Sequence, residues 1–273
     1  MGFSRAKADL SDSRFADLRW VSETDSTNAD VLRALASESP SDPLGARDLV
    51  VVADHQRAGR GRLGRTWEAP HAASLLMTVG TTAVIPDAHR GLLLTAMSCA
   101  ASEAIVGVCG VRTSIKWPND LVVERGGVDG GRLKVAGVLA ESVPLDGGLT
   151  GYAVGIGINC NWAAVEGPLA SIATSLDVVS GTTVDREELA VGTIRGFARR
   201  LELLESAGSP TALLDEARRL SATLGTEVVV TTPQGRTEGH AVDLDDDGAL
   251  LVRTGEGVQE RVVVGDVVSL RPS

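Results

Sequence analysis

Strand-like runs come in blocks along this chain rather than alternating with helices. Four follow one another at residues 113–117, 121–124, 135–141 and 151–158. Parallel neighbours need a crossover of a dozen or more residues, usually helical, whereas antiparallel neighbours need only a short turn. The link between the second and third runs, residues 125–133, reads RGGVDGGRL, the Gly-rich chemistry of a hairpin. This order predicts an α+β fold with a mainly antiparallel sheet and excludes a doubly wound one.

The segments around that block divide the chain into a flexible leader over 1–13, a core over 14–220 and a separate unit over 221–273. The leader is polar and without sustained periodicity. Thr27-Asn-Ala-Asp30 reads as a capping box ahead of an apolar-patterned helix over 31–36. A loop over 39–47 precedes a short apolar strand at 49–53. A long Arg/Gly-rich loop spans 54–70, and a further strand covers 74–79. Asp87 is placed to cap a long helix running to about residue 108. The apolar stretch 92–111 is interrupted by Glu103 and reads as a buried helix, not a membrane span. Asp185-Arg-Glu-Glu188 is a second capping box, after which Leu189, Thr193, Phe197, Leu201 and Leu204 mark one helical face. Another helix covers 210–220. From 221 onward, five β-rich runs (227–231, 239–244, 249–253, 261–264 and 267–270) alternate with turn chemistry at Pro233-Gln-Gly, Asp245-Asp-Asp-Gly and Thr254-Gly-Glu-Gly. Five close-set strands predict a small barrel.

Composition narrows the function classes. Lys and Arg total 26 against 36 Asp and Glu, a formal net charge of −10. A field of that sign repels phosphate backbones, so general nucleic-acid binding is disfavoured. Three Phe, one Tyr and four Trp are few for a single-strand stacking platform. Cys99, Cys109 and Cys160 are odd in number and lack metal-ligand spacing, which points to a reducing compartment, and no secretory signal opens the sequence. The expectation is a soluble cytoplasmic protein.

The sharpest local signal is Gln56-Arg-Ala-Gly-Arg-Gly-Arg-Leu-Gly-Arg-Thr-Trp67. Four arginines and three glycines reverse the sign of an acidic chain. Glycines let backbone N–H groups approach an anion, and guanidinium forks hold phosphate or carboxylate. A solvated arginine loop or an RNA-binding box fits the same composition. The segment is no Walker loop, lacking Gly-Lys-Ser/Thr, and no dinucleotide fingerprint, because a strand-like run follows it instead of a helix. Lys116-Trp-Pro-Asn-Asp120 offers Asn119 and Asp120 to a ligand or metal, although Pro-Asn-Asp is equally turn chemistry. Lys134-Val-Ala-Gly137 runs on to Glu141. Lys7, Lys116 and Lys134 are the only lysines, and two of them sit in these motifs. Gly155-Ile-Gly-Ile-Asn159 is a strand end that permits close backbone approach or marks a bulge. Asp25-Ser-Thr-Asn28 opens a helix whose free N-terminal groups suit a polar head group.

Together and in this order, these segments resemble the hallmarks of the biotin–protein ligases, also called biotin–[acetyl-CoA-carboxylase] ligases. The resemblance covers the chain from about residue 20 to its end. It implies a catalytic core like that of class II aminoacyl-tRNA synthetases and a C-terminal SH3-like barrel. It also implies two steps: biotin and ATP, with Mg²⁺, give biotinyl-5′-AMP and pyrophosphate, and biotin then passes to a lysine of the biotin carboxyl carrier protein. On the biotin side the resemblance places Ser26, Thr27, Asn28, Gln56 and Gly137, with Arg60, Gly61 and Arg62 closing over the ligand. Lys134 bridges carboxylate and α-phosphate, and Asp120 organises the lysine or a metal whose ligands stay unknown. Arg62, Arg65, Trp67, Asn119 and Asn159 fall on the nucleotide side. The sister reading is a lipoate or octanoyl ligase. Many relatives add an N-terminal DNA-reading domain. The residues ahead of Ser26 are too few for one, so no specific DNA partner, no repressor role and no membrane association are expected. The hairpin between Asp120 and Lys134 is long, which leaves the register of Arg132 and Lys134 open.

Overall fold

The computed structural model describes residues 3–37, 48–125, 131–163, 165, 167–206, 210–232, 235–255, 257–263 and 265–269. The loop expected over 39–47, most of the Gly-rich link and the Pro233-Gln turn lie outside them. In chain order the elements are α1 (Ser4–Asp9), β1 (Asp17–Val21), α2 (Thr27–Ser37), β2 (Asp48–Ala53), β3 (Ser74–Thr81), α3 (Leu92–Cys109), β4 (Ser114–Lys116), β5 (Asp120–Glu124), β6 (Arg132–Pro144) and β7 (Thr150–Asn159). They continue with α4 (Leu176–Ser180), α5 (Arg186–Glu205), α6 (Thr211–Leu220), β8 (Glu227–Thr232), β9 (Gly235–Leu244), β10 (Leu250–Thr254), β11 (Gln259–Val262) and β12 (Asp266–Ser269).

A seven-stranded sheet runs β1-β2-β3-β7-β6-β5-β4, and a five-stranded sheet runs β11-β10-β9-β8-β12. Every pairing is antiparallel except β1 with β2 at one edge. The α+β architecture expected from the strand blocks is therefore present, with one parallel edge strand that the sequence reading passed over.

Alternation along β2 divides its side chains between two layers. Val50 and Val52 join the main core with α3 and α5, while Leu49 and Val51 face α2 together with Val31, Leu35 and Ala153. α3 is long and apolar enough, by length and composition, to cross a membrane, but most of it is buried inside the fold. Its small residues let α5 approach closely: a Cβ at Gly192 or Gly196 would lie 3.1 Å from the Cβ of Ala104 or Ala100. The face expected on α5 is the face observed, with Leu189, Thr193, Phe197, Leu201 and Leu204 all fully buried. Asp185 caps that helix by accepting from the Glu187 and Glu188 N–H groups.

Three local expectations are overturned. The leader is not loose throughout, because residues 4–9 form α1, which docks by fully burying Ala6 and Leu10. Asp87 caps no long helix; a 3₁₀ turn at Asp87–His89 intervenes, and α3 begins after Gly91 without a side-chain cap. Thr27 and Asp30 form no capping box. The Thr27 N–H donates to Gln56 Oε1 at 2.8 Å, and Asp30 accepts from the Thr24 hydroxyl. A residue 29 positions away does the capping, so local spacing could not reveal it.

Candidate active site

The face of the large sheet turned toward α2 carries an unusual run of missing side chains. In β7, Gly155 and Gly157 share a face, and Gly137 of β6 is the cross-strand partner of Gly157. A Cβ at Gly157 would lie 2.5 Å from the Trp67 ring, and one at Gly137 would lie 3.0 Å from it. A Cβ at Gly155 would lie 2.0 Å from Asn28 Oδ1. The glycines are therefore the floor on which Trp67 and Asn28 rest.

Trp67 closes the Arg/Gly-rich loop. The loop folds back on itself as Arg60 bridges Thr66, the Trp67 N–H donates to the Gly59 carbonyl at 2.9 Å, and the Gly61 N–H donates to the Arg65 carbonyl at 2.7 Å. The reversal passes through Leu63 and Gly64 at φ 56° and 74°, the left-handed region that glycine tolerates best. The ring of Trp67 lines two adjoining cavities, and its indole N–H is buried without a partner among the described residues.

The smaller cavity, about 30 Å³, is nearly neutral and polar, with Ser26, Thr27, Asn28 and Gln56 on its wall beside Met77, Leu139 and Ile156. Ser26, Thr27 and Asn28 are each at most 5% exposed. Gln56 Oε1 accepts from both the N–H and the hydroxyl of Thr27. The Thr78 hydroxyl lies 2.7 Å from Thr27 Oγ1 and 2.6 Å from Asn28 Oδ1. Asn28 Nδ2 donates to the Leu139 carbonyl at 3.3 Å and to Glu141 Oε2 at 2.8 Å. Glu141 Oε1 in turn pairs with Arg60 at 3.0 Å.

The larger cavity, about 270 Å³, is cationic, with Arg60, Arg62, Arg65, Lys116 and Lys134 on its wall. Asp120, Asn119 and residues 266–268 of β12 complete it, so the second sheet walls this cleft. Lys134 Nζ lies 2.6 Å from Asp120 and 5.2 Å from the centre of the Trp67 ring. Strict alternation would put Lys134 and Gly137 on opposite faces of β6. The register shifts instead, pairing Leu121 with Ala136 and Val122 with Lys134, so Val135 is the extra residue of a bulge. The bulge turns Lys134 onto the glycine face, where Asp120 (opposite Gly137) meets it. That settles the register the long hairpin left open, and Arg132 pairs with Glu124 instead. Arg62 donates to Asn119 Oδ1 at 3.0 Å and to the Gly265 carbonyl at 3.4 Å. Burial lowers its pKa from the usual arginine range; Asp120 opposes that effect and Arg65 adds to it. Arg65 pairs with Asp266.

Ser26, Thr27, Asn28, Gln56, Arg60 and Gly137 thus meet at the polar end, and Gly61, Arg62, Arg65, Asn119, Asp120 and Lys134 at the cationic end. Trp67, expected on the nucleotide side, spans both. Asn159 does not reach either wall. It is buried, its Nδ2 donates to the Thr174 carbonyl at 3.0 Å, and its Oδ1 has no partner among the described residues. Glu141, Thr78 and Lys116 are contributors the sequence reading did not assign. Period-2 spacing from Gly137 through Leu139 already put Glu141 on the site face, whereas nothing in the β3 sequence marked Thr78. The cysteines stand apart from both cavities, and burial pushes Cys99 and Cys160 up to about 12, far from nucleophilic use.

The chain matches the biotin/lipoate A/B protein ligase family over residues 23–159 and the biotin protein ligase C-terminal domain over 223–269. It is 36% identical over 265 residues to the biotin–[acetyl-CoA-carboxylase] ligase of Mycobacterium tuberculosis, covering 95% of this chain and 91% of that one. It is 33% identical over 250 residues to the ligase of the same name from Paracoccus denitrificans, covering 88% and 95%. Among solved structures, the biotin protein ligase of Aquifex aeolicus in complex with biotin and ATP aligns with a TM-score of 0.73 at 27% identity, covering 94% of this chain and all of that one. With the polar pocket, the cationic cleft and both matched domains on one continuous chain, this protein belongs to the biotin protein ligases.

Proposed function

We propose that the chain joins biotin to ATP, releasing pyrophosphate, and passes biotin from the resulting biotinyl-5′-AMP to one lysine of a biotin carboxyl carrier protein. One observation carries the reading: a small pocket lined mainly by uncharged polar and apolar groups and a larger cationic cleft adjoin at a single indole ring. A ligand that is polar but uncharged at one end and anionic at the other fits both. Biotin has that form, and ATP adds the second anion.

The chemistry follows from charge. A carboxylate and a triphosphate repel as they meet, and the barrier contains that repulsion. Lys134 is a compact point charge held by Asp120, and it supplies preorganised positive charge where the carboxylate oxygen attacks the α-phosphate. Arg60 and Arg62 border the same space and neutralise the remaining charge. The carrier amine then attacks the carboxyl carbon, and AMP leaves as a stabilised anion. A mixed anhydride hydrolyses readily, so the loop from Gln56 to Trp67 must keep water out between the steps. Among the described residues no cluster of three His, Cys, Asp or Glu side chains forms a metal cage. Asp120 and Asp266 on the cleft wall are each paired with a cation. Magnesium would enter with ATP, held by phosphate oxygens and one or two carboxylates at most, for which Asp120 and Asp266 are the candidates on the cleft wall. The three free cysteines suit a cytoplasmic setting, and specific DNA is not expected as a partner.

The test is ATP-dependent transfer of labelled biotin to a carrier domain. We expect label on a single lysine and one pyrophosphate released per label, with octanoate and lipoate inactive in biotin's place. A lipoate head lacks N–H donors and would leave buried polar groups unpaired. Transfer of lipoate but not biotin would overturn the reading. A second expectation concerns the floor: Gly155→Ala should raise the KM for biotin at least tenfold, since its new Cβ would overlap Asn28 Oδ1. An unchanged KM would remove Asn28 from the pocket.

A further inference from the structure

A carboxylate stands where two anions are expected to gather. Glu141 is about one-quarter exposed and joins two otherwise separate parts of the site: Oε1 holds Arg60 at 3.0 Å, and Oε2 holds Asn28 at 2.8 Å. Negative charge at that seam opposes anion binding, so its contribution must lie elsewhere. The Asn28 amide shows where. Its two faces are alike in shape but opposite in polarity. Here Nδ2 is turned toward two acceptors, Glu141 and the Leu139 carbonyl, and Oδ1 toward the Thr78 hydroxyl and the missing side chain of Gly155. A carbonyl oxygen can accept twice, and Asn28 lines the pocket, so this oxygen has capacity for a ligand donor besides Thr78.

The geometry points to Glu141 as a positioning residue that sets the polarity of the smaller pocket: by holding Asn28 with its oxygen turned away from the carboxylate and Arg60 on the pocket wall, it selects a head group that presents N–H donors. Rotating the amide by half a turn would aim its oxygen at the Glu141 carboxylate and the Leu139 carbonyl, acceptor against acceptor, and invert that selection. This inference rests on the proposed function, since it concerns the pocket assigned there to the uncharged end of biotin.

Glu141→Gln keeps the shape but leaves one oxygen to serve two donors, so either Arg60 is released or the Asn28 amide turns. We expect the KM for biotin to rise about 10- to 100-fold, the range of one charge-assisted hydrogen bond. The KM for ATP should stay within about threefold, and any fall in kcat at saturating biotin should be smaller than the rise in the KM for biotin. Octanoate, a probe without N–H donors, should compete against biotin at least tenfold better than it does in the wild type. A merely structural role would lower the melting temperature and leave this selectivity unmoved, and that outcome overturns the inference. Should Glu141→Gln fail to fold, Glu141→Asp keeps the charge but withdraws the carboxylate from Arg60 and Asn28, and must show the same pattern; an unchanged biotin-to-octanoate ratio there overturns it equally. Wild-type protein run alongside separates the two levels. If it transfers no biotin, the functional reading fails; if it does and the variants discriminate as it does, only the role of Glu141 fails.

Discussion

Lys134→Ala is expected to slow pyrophosphate release by about 10²- to 10³-fold, the usual loss when one preorganised electrostatic contact is removed from a closed site. The fold should survive. The main chain of Lys134 is anchored independently of its side chain, with its N–H donating to the Ile172 carbonyl and its own carbonyl accepting from Thr174. The side chain is one-third exposed, and Asp120, left without its partner, still has access to solvent. Lys134→Arg should rescue poorly. The ammonium already sits 2.9 Å from where a Cβ of Gly137 would stand, and a planar fork neither fits that space nor concentrates its charge on one atom. The measurement is single-turnover pyrophosphate release at saturating biotin and ATP, with the melting temperature recorded in parallel. An alanine variant that releases pyrophosphate at the wild-type rate would exclude Lys134 from the chemical step.

The second large effect is a loss of containment. Among the described residues Arg62 makes no ion pair, unlike Arg60 with Glu141 or Arg65 with Asp266. Its guanidinium rests on two neutral acceptors, Asn119 Oδ1 and the Gly265 carbonyl, so its charge is available to an arriving phosphate. A charge-assisted contact contributes about 1.5–3 kcal/mol, so Arg62→Gly should weaken adenylate retention about 10- to 100-fold. Activation should suffer less, because Lys134, the residue proposed to meet the α-phosphate, is untouched. The product is an enzyme that makes the activated ester and releases it. Free biotinyl-5′-AMP acylates exposed lysines without selection, so specificity should collapse before turnover does. The check is to incubate Arg62→Gly with ATP, biotin and an unrelated lysine-rich protein and to probe that protein for biotin. A bystander that stays unlabelled while adenylate forms and leaves no faster than in the wild type would mean that Arg62 does not close the site.

The link from Arg62 and Arg65 to Gly265 and Asp266 also joins the loop to the second sheet. A soluble protein ending near residue 221 is accordingly expected to lose activity, because one wall of the cationic cleft goes with it. Wild-type adenylation and transfer by that truncation would show the second sheet to be dispensable.

Local chemistry was legible in the sequence alone. The arginine–glycine loop, the two motif lysines and the glycine pairs stand out by residue type and short spacing, whereas the head-group roles expected of Ser26, Thr27, Asn28 and Gln56 came from the family resemblance. The Asp185 cap and the buried face of α5 were legible as well, since a helix period and an N-cap depend on neighbours within four residues. The tertiary structure decided what distance in sequence conceals. Gln56, not Asp30, completes the start of α2; α1 docks only because α5 and the core offer a place for Ala6 and Leu10; and Asn159 is carried past the cleft instead of into it. The bulge at Val135 is the clearest case. Alternation by itself would send Lys134 to the far side of the sheet, and only the pairing with β5 returns it to Asp120 and Trp67. Residue types determined which chemistry this chain can perform. Strand register, which depends on contacts between distant segments, decided which of those residues meet.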